Sequence, residues 1–312
     1  MLNIAIIGTG IIGLAHIEAM EKTDCCRLCA ICDVNEEVVK TLAKEKNVPY
    51  FLDYHDIPSS DVKVDAVILN LPHFLHCEAT VFFLENGIHV LCEKPMANTV
   101  KECDRMIEAA KKSGKKLGIG HVQRFIASNM GVKKIVDEGT LGKLCMISET
   151  RTKDYFDPNR PKWFLSKEKA GGGITMNYGA HAFDKIFTIL GPQDVEIASC
   201  IGNIKNDADI EGHAQILAKL DDGISANITF SGYGNFARSD VYYFQNGVVR
   251  LPAGTMTDNM GNTEKLDFSQ FPSDPMQFQI EEFCKYVNDE PSITPDGAFG
   301  RAVINAIEKV YR

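Results

Sequence analysis

Leu2-Asn3-Ile4-Ala5-Ile6-Ile7-Gly8-Thr9-Gly10-Ile11-Ile12-Gly13 is the stretch on which the fold of this chain turns. Residues 2–7 are β-type and apolar and stop at Gly8, while residues 14–20 carry apolar side chains at a spacing that suits a helix. A G-x-G-x-x-G turn alone is a weak signal. Here a strand precedes it, a helix follows it, and Asp33 closes the next apolar run, twenty residues beyond Gly13. That is the arrangement of a dinucleotide-binding βαβ unit. Gly8 permits the tight turn, Gly10 lets backbone approach a pyrophosphate, and Gly13 allows close helix–strand packing. The helix start at Ile11 and Ile12 offers free N–H groups and a positive dipole end to phosphates. Asp33 suits both hydroxyls of a ribose and repels a 2′-phosphate, and no Arg follows it in Val34-Asn35-Glu36, so NAD is favoured over NADP. The competing reading is a plain glycine turn with a solvated aspartate.

The alternation continues outward from this unit. Residues 36–46 read as a helix, 64–69 as a strand, and 76–86 as a helix closed by Gly87. Residues 88–92 read as a strand, 99–113 as a helix closed by Gly114, and 116–120 as a strand. Strands alternating with helices of these lengths build a doubly wound parallel α/β sheet, whose ligands bind beyond the carboxyl ends of the strands. Three segments fall there: Asn70-Leu71-Pro72-His73, Glu93-Lys94-Pro95 and His121-Val122-Gln123-Arg124. In the second, a charged pair directly after a buried strand, pinned by a proline, places Lys94 at the sheet edge expected to meet a nicotinamide. A surface salt bridge in a loop is the alternative.

Beyond residue 121 the pattern changes, which divides the chain into a dinucleotide-binding domain, 1–121, and an α+β substrate-binding and oligomerisation domain, 122–312, whose C-terminal helix can pack back on the dinucleotide-binding domain. Residues 142–148, 214–220, 224–231 and 240–244 read as longer strands, and Asp221-Asp222-Gly223 joins two of them as a hairpin. Residues 224–231 alternate apolar and polar strictly, so the mostly antiparallel sheet buries one face and opens the other, rich in hydroxyls, to a substrate or partner subunit. Gly171-Gly172-Gly173 precedes a helix on which Asn177, His181 and Asp184 share one face. His181 and Asn177 can address one ligand together; a packed, purely structural histidine is the alternative. The chain's single Trp, Trp163, follows Arg160-Pro161-Lys162.

The 312 residues carry 33 basic and 42 acidic side chains, a formal net charge of -9, which disfavours nucleic acid. With 45% hydrophobic and 24% charged residues the composition is that of a globular protein, and no apolar run reaches the ~18 residues of a membrane span. A soluble, cytoplasmic protein is expected. Of the ten cysteines, Cys26-x-x-Cys29-x-x-Cys32 imitates a metal run. It lies along a short apolar segment, however, and in a strand Cys26 and Cys29 point to opposite faces about 10 Å apart, so they cannot share one ion. Without HExxH or other Cys/His ligand spacing, no metal is expected.

Taken in order, these motifs resemble the Gfo/Idh/MocA oxidoreductases, a family that includes glucose–fructose oxidoreductase and inositol dehydrogenase. The likeness runs through residues 4–13, Asn70-Leu71-Pro72, His76, residues 89–95, Gly120-His121-Val122-Gln123-Arg124-Phe125, residues 171–184, 278–287 and 296–311. It implies a Rossmann domain, and a second domain whose open sheet forms homodimers or homotetramers. The implied activity is hydride transfer between nicotinamide and a hydroxyl or carbonyl carbon of a sugar, cyclitol or related polyol. By resemblance, Lys94 and His181 are catalytic with Asn177 beside them. Leu71, Pro72, His76, Glu93, Gln123 and Trp163 would line the NAD, and Arg124, Tyr155, Arg160 and Tyr178 the substrate. One departure stands out. Many members have an Asp four residues before the His, where this chain has Asn177, which deprives Lys94 of a possible carboxylate partner. Two other functions remain open: a glycosidase that retains NAD and works by transient oxidation, and a non-catalytic NAD-binding regulator.

Overall fold

The computed structural model describes residues 1–204 and 208–312. They form two compact units, residues 1–122 with 274–301, and residues 123–273 with 302–312.

In the first unit the elements follow the alternation read from sequence, with one short unexpected strand at residues 50–51: β1 (Leu2–Ile7), α1 (Ile11–Met20), β2 (Cys26–Cys32), α2 (Glu36–Lys46), β3 (Tyr50–Phe51), β4 (Ala66–Leu69), α3 (His76–Glu85), β5 (His89–Glu93), α4 (Val100–Ser113) and β6 (Leu117–Gly120). The strands pair in the order β3-β2-β1-β4-β5-β6, all parallel. This is the doubly wound order, and its reversal beside β1 sets the ligand crevice at the ends of β1 and β4. Continuous burial of residues 3–7 and 66–69 is what a strand covered on both faces requires. Helix starts are sharp where side chains cap them. Thr99 and Glu102 exchange hydrogen bonds as a capping box on α4, and Asn35 caps α2.

A single boundary near 121 does not by itself describe the first unit, to which C-terminal residues return. Residues 274–301 return to the first unit, because Ile280 and Phe283 of α8 (Pro275–Val287) join Ile4, Ile6, Ile31 and Leu91 in its core. The polar and apolar spacing of α8 says that it buries a face but not which sheet receives it.

The second unit carries α5 (Ala127–Glu138), β7 (Leu144–Thr152), α6 (Lys167–Ala170), α7 (Ile174–Leu190) and β8 (Glu196–Gly202). It continues through β9 (His213–Lys219), β10 (Ser225–Ser231), β11 (Ala237–Phe244), β12 (Gly247–Leu251), β13 (Thr255–Asp258) and β14 (Thr263–Lys265). α9 (Gly297–Val310) is divided between the units after Arg301. Among the described residues the sheet runs β14-β13-β12-β11-β7-β10-β9-β8, antiparallel except where β10 meets β7. β9 and β10 form the expected hairpin through Asp221–Gly223. Along β10 the buried residues are Ala226, Ile228 and Phe230, and Ser225, Asn227, Thr229 and Ser231 face outward, as the alternation requires.

β7 extends past residue 148 through charged residues that read as a strand end. They are buried because opposite charges meet them. Lys185 of α7 lies fully buried with Nζ 2.9 Å from Glu149 and 2.8 Å from Asp240. Arg238 holds the other Asp240 oxygen at 2.7 Å. Burial raises the Asp240 carboxyl, but the two cations outweigh it and hold the group below the ordinary carboxylate range. Asp240 therefore adds stability above its unfolded pKa of ~3.9, lost as pH falls through its lower folded value. Lys185→Ala leaves two buried carboxylates short of their shared cation and is expected to cost about 3–5 kcal/mol in urea denaturation.

Candidate active site

At the crevice of the first unit, the fingerprint loop is built by close approach. Gly8 has φ +90, and a Cβ there would stand 2.5 Å from the Asn70 carbonyl oxygen. A Cβ on Gly13 would stand 2.1 Å from the Gly8 oxygen. Gly10 meets nothing within 4 Å, and Gly10, Ile11 and Ile12 are exposed. Space above the loop is thus open where the N–H groups of the first turn of α1 point. Asp33 stands at the end of β2 with its carboxylate accepting from the Thr9 N–H at 2.7 Å, the Thr9 hydroxyl at 2.8 Å and the Asn35 N–H at 3.0 Å. An open anion cradle beside an acceptor-only carboxylate fits the pyrophosphate and ribose of a dinucleotide.

The next strand ends are tied together by two histidines. His76 is buried, with Nδ1 2.8 Å from the Pro95 carbonyl and Nε2 2.8 Å from that of Leu71, so it braces the Leu71-Pro72 and Lys94-Pro95 segments. Burial holds its ring below the ordinary histidine pKa. Leu71 and Pro72 themselves are half-buried. His16, fully buried on α1, reaches Glu93 at 2.9 Å, and the other Glu93 oxygen accepts from the Lys94 N–H at 3.1 Å. Burial works to raise the Glu93 carboxyl, but the His16 hydrogen bond and the charges of His16 and Lys94 prevail and hold it low. Gly120 completes this clamp, since a Cβ there would meet Glu93 at 2.6 Å. The Glu93–His16 pair is therefore a buried fixture of the loop that carries Lys94. Lys94 itself is half-buried and continues into a cis bond to Pro95.

The second unit holds the remaining expected residues. Every residue from Gly172 to Ile189 is buried except His181, which is half-exposed. Its Nδ1 lies 3.4 Å from the Gln123 side-chain amide. Asn129 donates to both oxygens of Gln123, at 2.8 Å to the carbonyl and 3.3 Å to the amide oxygen, which turns the Gln123 NH₂ toward the imidazole. The Gln123 N–H in turn donates to Asp184 at 3.1 Å, so Asp184, on the shared helix face, positions Gln123. Asn177 and Tyr178 are buried, and the Tyr178 ring is 6.4 Å from that of His181. Tyr155, expected near a substrate, is fully enclosed and gives its hydroxyl to the Gly173 carbonyl at 3.2 Å. Arg160 lies over the Tyr155 ring at 4.0 Å and over Phe164 at 4.7 Å, with Trp163 stacked on Phe164 at 3.7 Å. Arg160, Trp163 and Arg124 are half-buried.

One residue escaped the sequence reading. Glu211 receives the N–H groups of Gly173, at 2.9 Å, and Thr175, at 2.8 Å, and the Tyr311 hydroxyl at 2.8 Å. It is the carboxylate at the N-terminus of α7, where the helix dipole favours it. Gly173 is needed beside it, because a Cβ would stand 2.1 Å from the Glu211 carbonyl oxygen. The glycine triplet hinted at a close approach, but nothing local names a partner 38 residues away.

Two family models match the chain in this order. Residues 2–121 match the oxidoreductase family NAD-binding Rossmann fold, and residues 130–245 match the GFO/IDH/MocA C-terminal domain. The chain is 31% identical over 312 residues to a myo-inositol 2-dehydrogenase of Thermotoga maritima, covering 96% of this chain and 91% of that one. It is 28% identical over 229 residues to a 2,7-anhydro-N-acetylneuraminate hydratase of Mediterraneibacter gnavus, covering 73% of this chain and 58% of the other. A crystal structure of an aldose-aldose oxidoreductase from Caulobacter crescentus, complexed with glycerol, superposes with a TM-score of 0.89 at 25% identity, covering 100% and 96% of the two chains. The chain belongs to the Gfo/Idh/MocA oxidoreductase family. It spans about half the length of the first curated relatives it matches, 46% and 58%.

The loop geometry separates two glycine substitutions. Gly13→Ala is expected to lower both the melting temperature and dinucleotide affinity, because α1 must shift off Gly8. Gly10→Ala, which meets open space, is expected to leave melting unchanged while weakening NADH binding at least tenfold in a fluorescence titration.

Proposed function

We propose that this chain is an NAD(H)-dependent oxidoreductase that moves a hydride between nicotinamide and a hydroxyl or carbonyl carbon of a sugar, cyclitol or related polyol. The observation that carries this reading is His181, the one half-exposed residue in an otherwise buried helical run, with its imidazole set by Gln123 and Asn129. A neutral imidazole exchanges protons near pH 7. With Nδ1 accepting from the Gln123 amide, the ring carries its proton on Nε2, the form that protonates a carbonyl oxygen in the reductive direction. In the oxidative direction the imidazole takes up the proton that the hydroxyl releases, becoming the cation that returns it to solvent. Lys94 is assigned to the same reacting oxygen, where an ammonium stabilises developing negative charge. The Glu93–His16 clamp orients the backbone of Lys94. Bound NAD supplies the hydride acceptor, and NADH the donor.

The acceptor-only Asp33 carboxylate at the end of β2, which would repel a 2′-phosphate, supports NAD over NADP. Leu71, Pro72, Glu93, Gln123 and Trp163 are assigned to the dinucleotide, and Arg124, Arg160, Asn177 and Tyr178 to the substrate. His76 and Tyr155 act from behind, through the segments they brace. Among the described residues no helix is long and apolar enough to cross a membrane. Ten free cysteines fit a reducing cytoplasm. The open sheet face, where Met146 and Leu217 are exposed around a hollow of about 500 Å³, supports a homodimer or homotetramer through this surface.

A second reading has its own support. One relative is named a hydratase, an activity without net oxidation, which is consistent with dinucleotide retained for transient oxidation.

A panel of polyols and ketoses followed by NADH absorbance, with NADP as comparison, tests the assignment. Net NADH change with one polyol class is expected, and His181→Ala is expected to slow single-turnover hydride transfer about 10²–10⁴-fold. An unchanged rate removes His181 as the proton-transfer group. Turnover with no net NADH change and copurified dinucleotide favours the second reading.

A further inference from the structure

At the opposite end of β2 from Asp33, three cysteines from distant parts of the sequence converge. The Sγ atoms of Cys25, Cys26 and Cys284 all lie within 4.8 Å of one another. Cys25 and Cys26 enter β2, and Cys284 stands on α8 of the returning segment. Cys26 and Cys284 are buried and Cys25 is half-buried, so the group has a dry interior and one accessible edge. Cys25 Sγ accepts a hydrogen bond from the Thr23 hydroxyl at 3.3 Å and contacts both other thiols. Among the described residues this is the one group of three His, Cys, Asp or Glu side chains with metal-ligand separations. Cys29 and Cys32 take no part in it, which agrees with their placement along the strand.

We propose that Cys25, Cys26 and Cys284 form a binding site for a single thiophilic d¹⁰ cation of the zinc class. Tetrahedral metal–sulfur bonds of about 2.3 Å place sulfurs ~3.8 Å apart, so three sulfurs within 4.8 Å need to contract by no more than about 1 Å. The ligands are soft, which selects zinc, cadmium or copper(I) over magnesium or calcium. Binding exchanges thiol protons for the metal: each S–H that becomes a ligand releases H⁺ to solvent, and no electron moves. Water at the exposed Cys25 edge fills the fourth position.

The site joins sequence positions more than 250 residues apart, fastening α8 to the start of the sheet. It stands about 23 Å along β2 from Asp33, seven residues at ~3.3 Å each. Metal binding is therefore a stabilising clamp on the returning segment, separate from the dinucleotide end.

The test uses the full chain, reduced with a phosphine and washed with chelator, then titrated with Cd²⁺ as probe. One saturable thiolate-to-cadmium charge-transfer band per chain is expected, with a melting temperature raised by several degrees. Cys25→Ser, at the half-buried edge, is expected to weaken Cd²⁺ at least tenfold and abolish the thermal shift while its circular dichroism stays native. Cys145→Ser, at an exposed thiol outside the group, is expected to bind like the parent. NADH affinity is expected to be equal with and without metal. Absence of a saturable band, or Cys25→Ser binding within twofold of the parent, overturns the proposal. So does a band lost in Cys145→Ser. Cys284→Ala adds a third reading where it folds, and Cys25→Ser decides the matter where it does not.

Discussion

The start of α1 lies so close to the end of β1 that one methyl group on Gly13 would press to 2.1 Å from the Gly8 oxygen. Much of the first unit follows from that contact. It brings the N-terminus of the helix down onto the carboxyl ends of β1 and β4, where Gly8 also packs against Asn70. Unpaired N–H groups then gather in one open place, and the Thr9–Asp33 hydrogen bonds set a carboxylate beside them. His16, one turn further along α1, is carried to Glu93 by the same approach. The steric minimum that shapes the cradle therefore also fixes the segment that bears Lys94.

Local patterning made the elements of the first unit legible, because each strand is a short apolar run bounded by glycine, proline or a polar residue. Burial on both faces writes such runs plainly into sequence. Boundaries moved by one or two residues, as at Ala66 and Leu117, where the flanking Asp65 and Lys116 still share backbone hydrogen bonds with the neighbouring strands. The second unit was less readable. β7 continues through Glu149 and Arg151 because Lys185 brings opposite charge from α7 to Glu149, which also meets Arg151, and Lys185 is not visible from within β7. β14 is an edge strand and β13 its neighbour, both of mixed polarity, with no buried face strong enough to impose alternation.

The candidate site shows the same division between local and distant information. The glycine turn, Asp33, Lys94 and the Asn177–His181 spacing could each be read from a few adjacent residues. What holds them could not. Glu211 caps α7 from another strand connection, Asn129 sets the amide of Gln123, and Cys284 reaches Cys26 only because α8 returns. Tyr155 shows the other side of this. The family resemblance assigns it to a substrate, while in the fold its buried hydroxyl donates to the Gly173 carbonyl. A polar side chain in sequence offers a hydrogen bond, and only the fold says whether a substrate or the backbone receives it.

Asn177 is best understood against that distinction. It occupies the buried face of α7 one turn before His181, and its amide reaches the Tyr155 hydroxyl. A carboxylate at the same place would need a cation or several donors to remain charged in so enclosed a position. The amide needs neither, because its donors and acceptor can be met by neutral partners such as Tyr155. The substitution thus removes a charge from the neighbourhood of His181 without leaving an unsatisfied polar group. The imidazole has the Gln123 amide at 3.4 Å, itself held by Asn129.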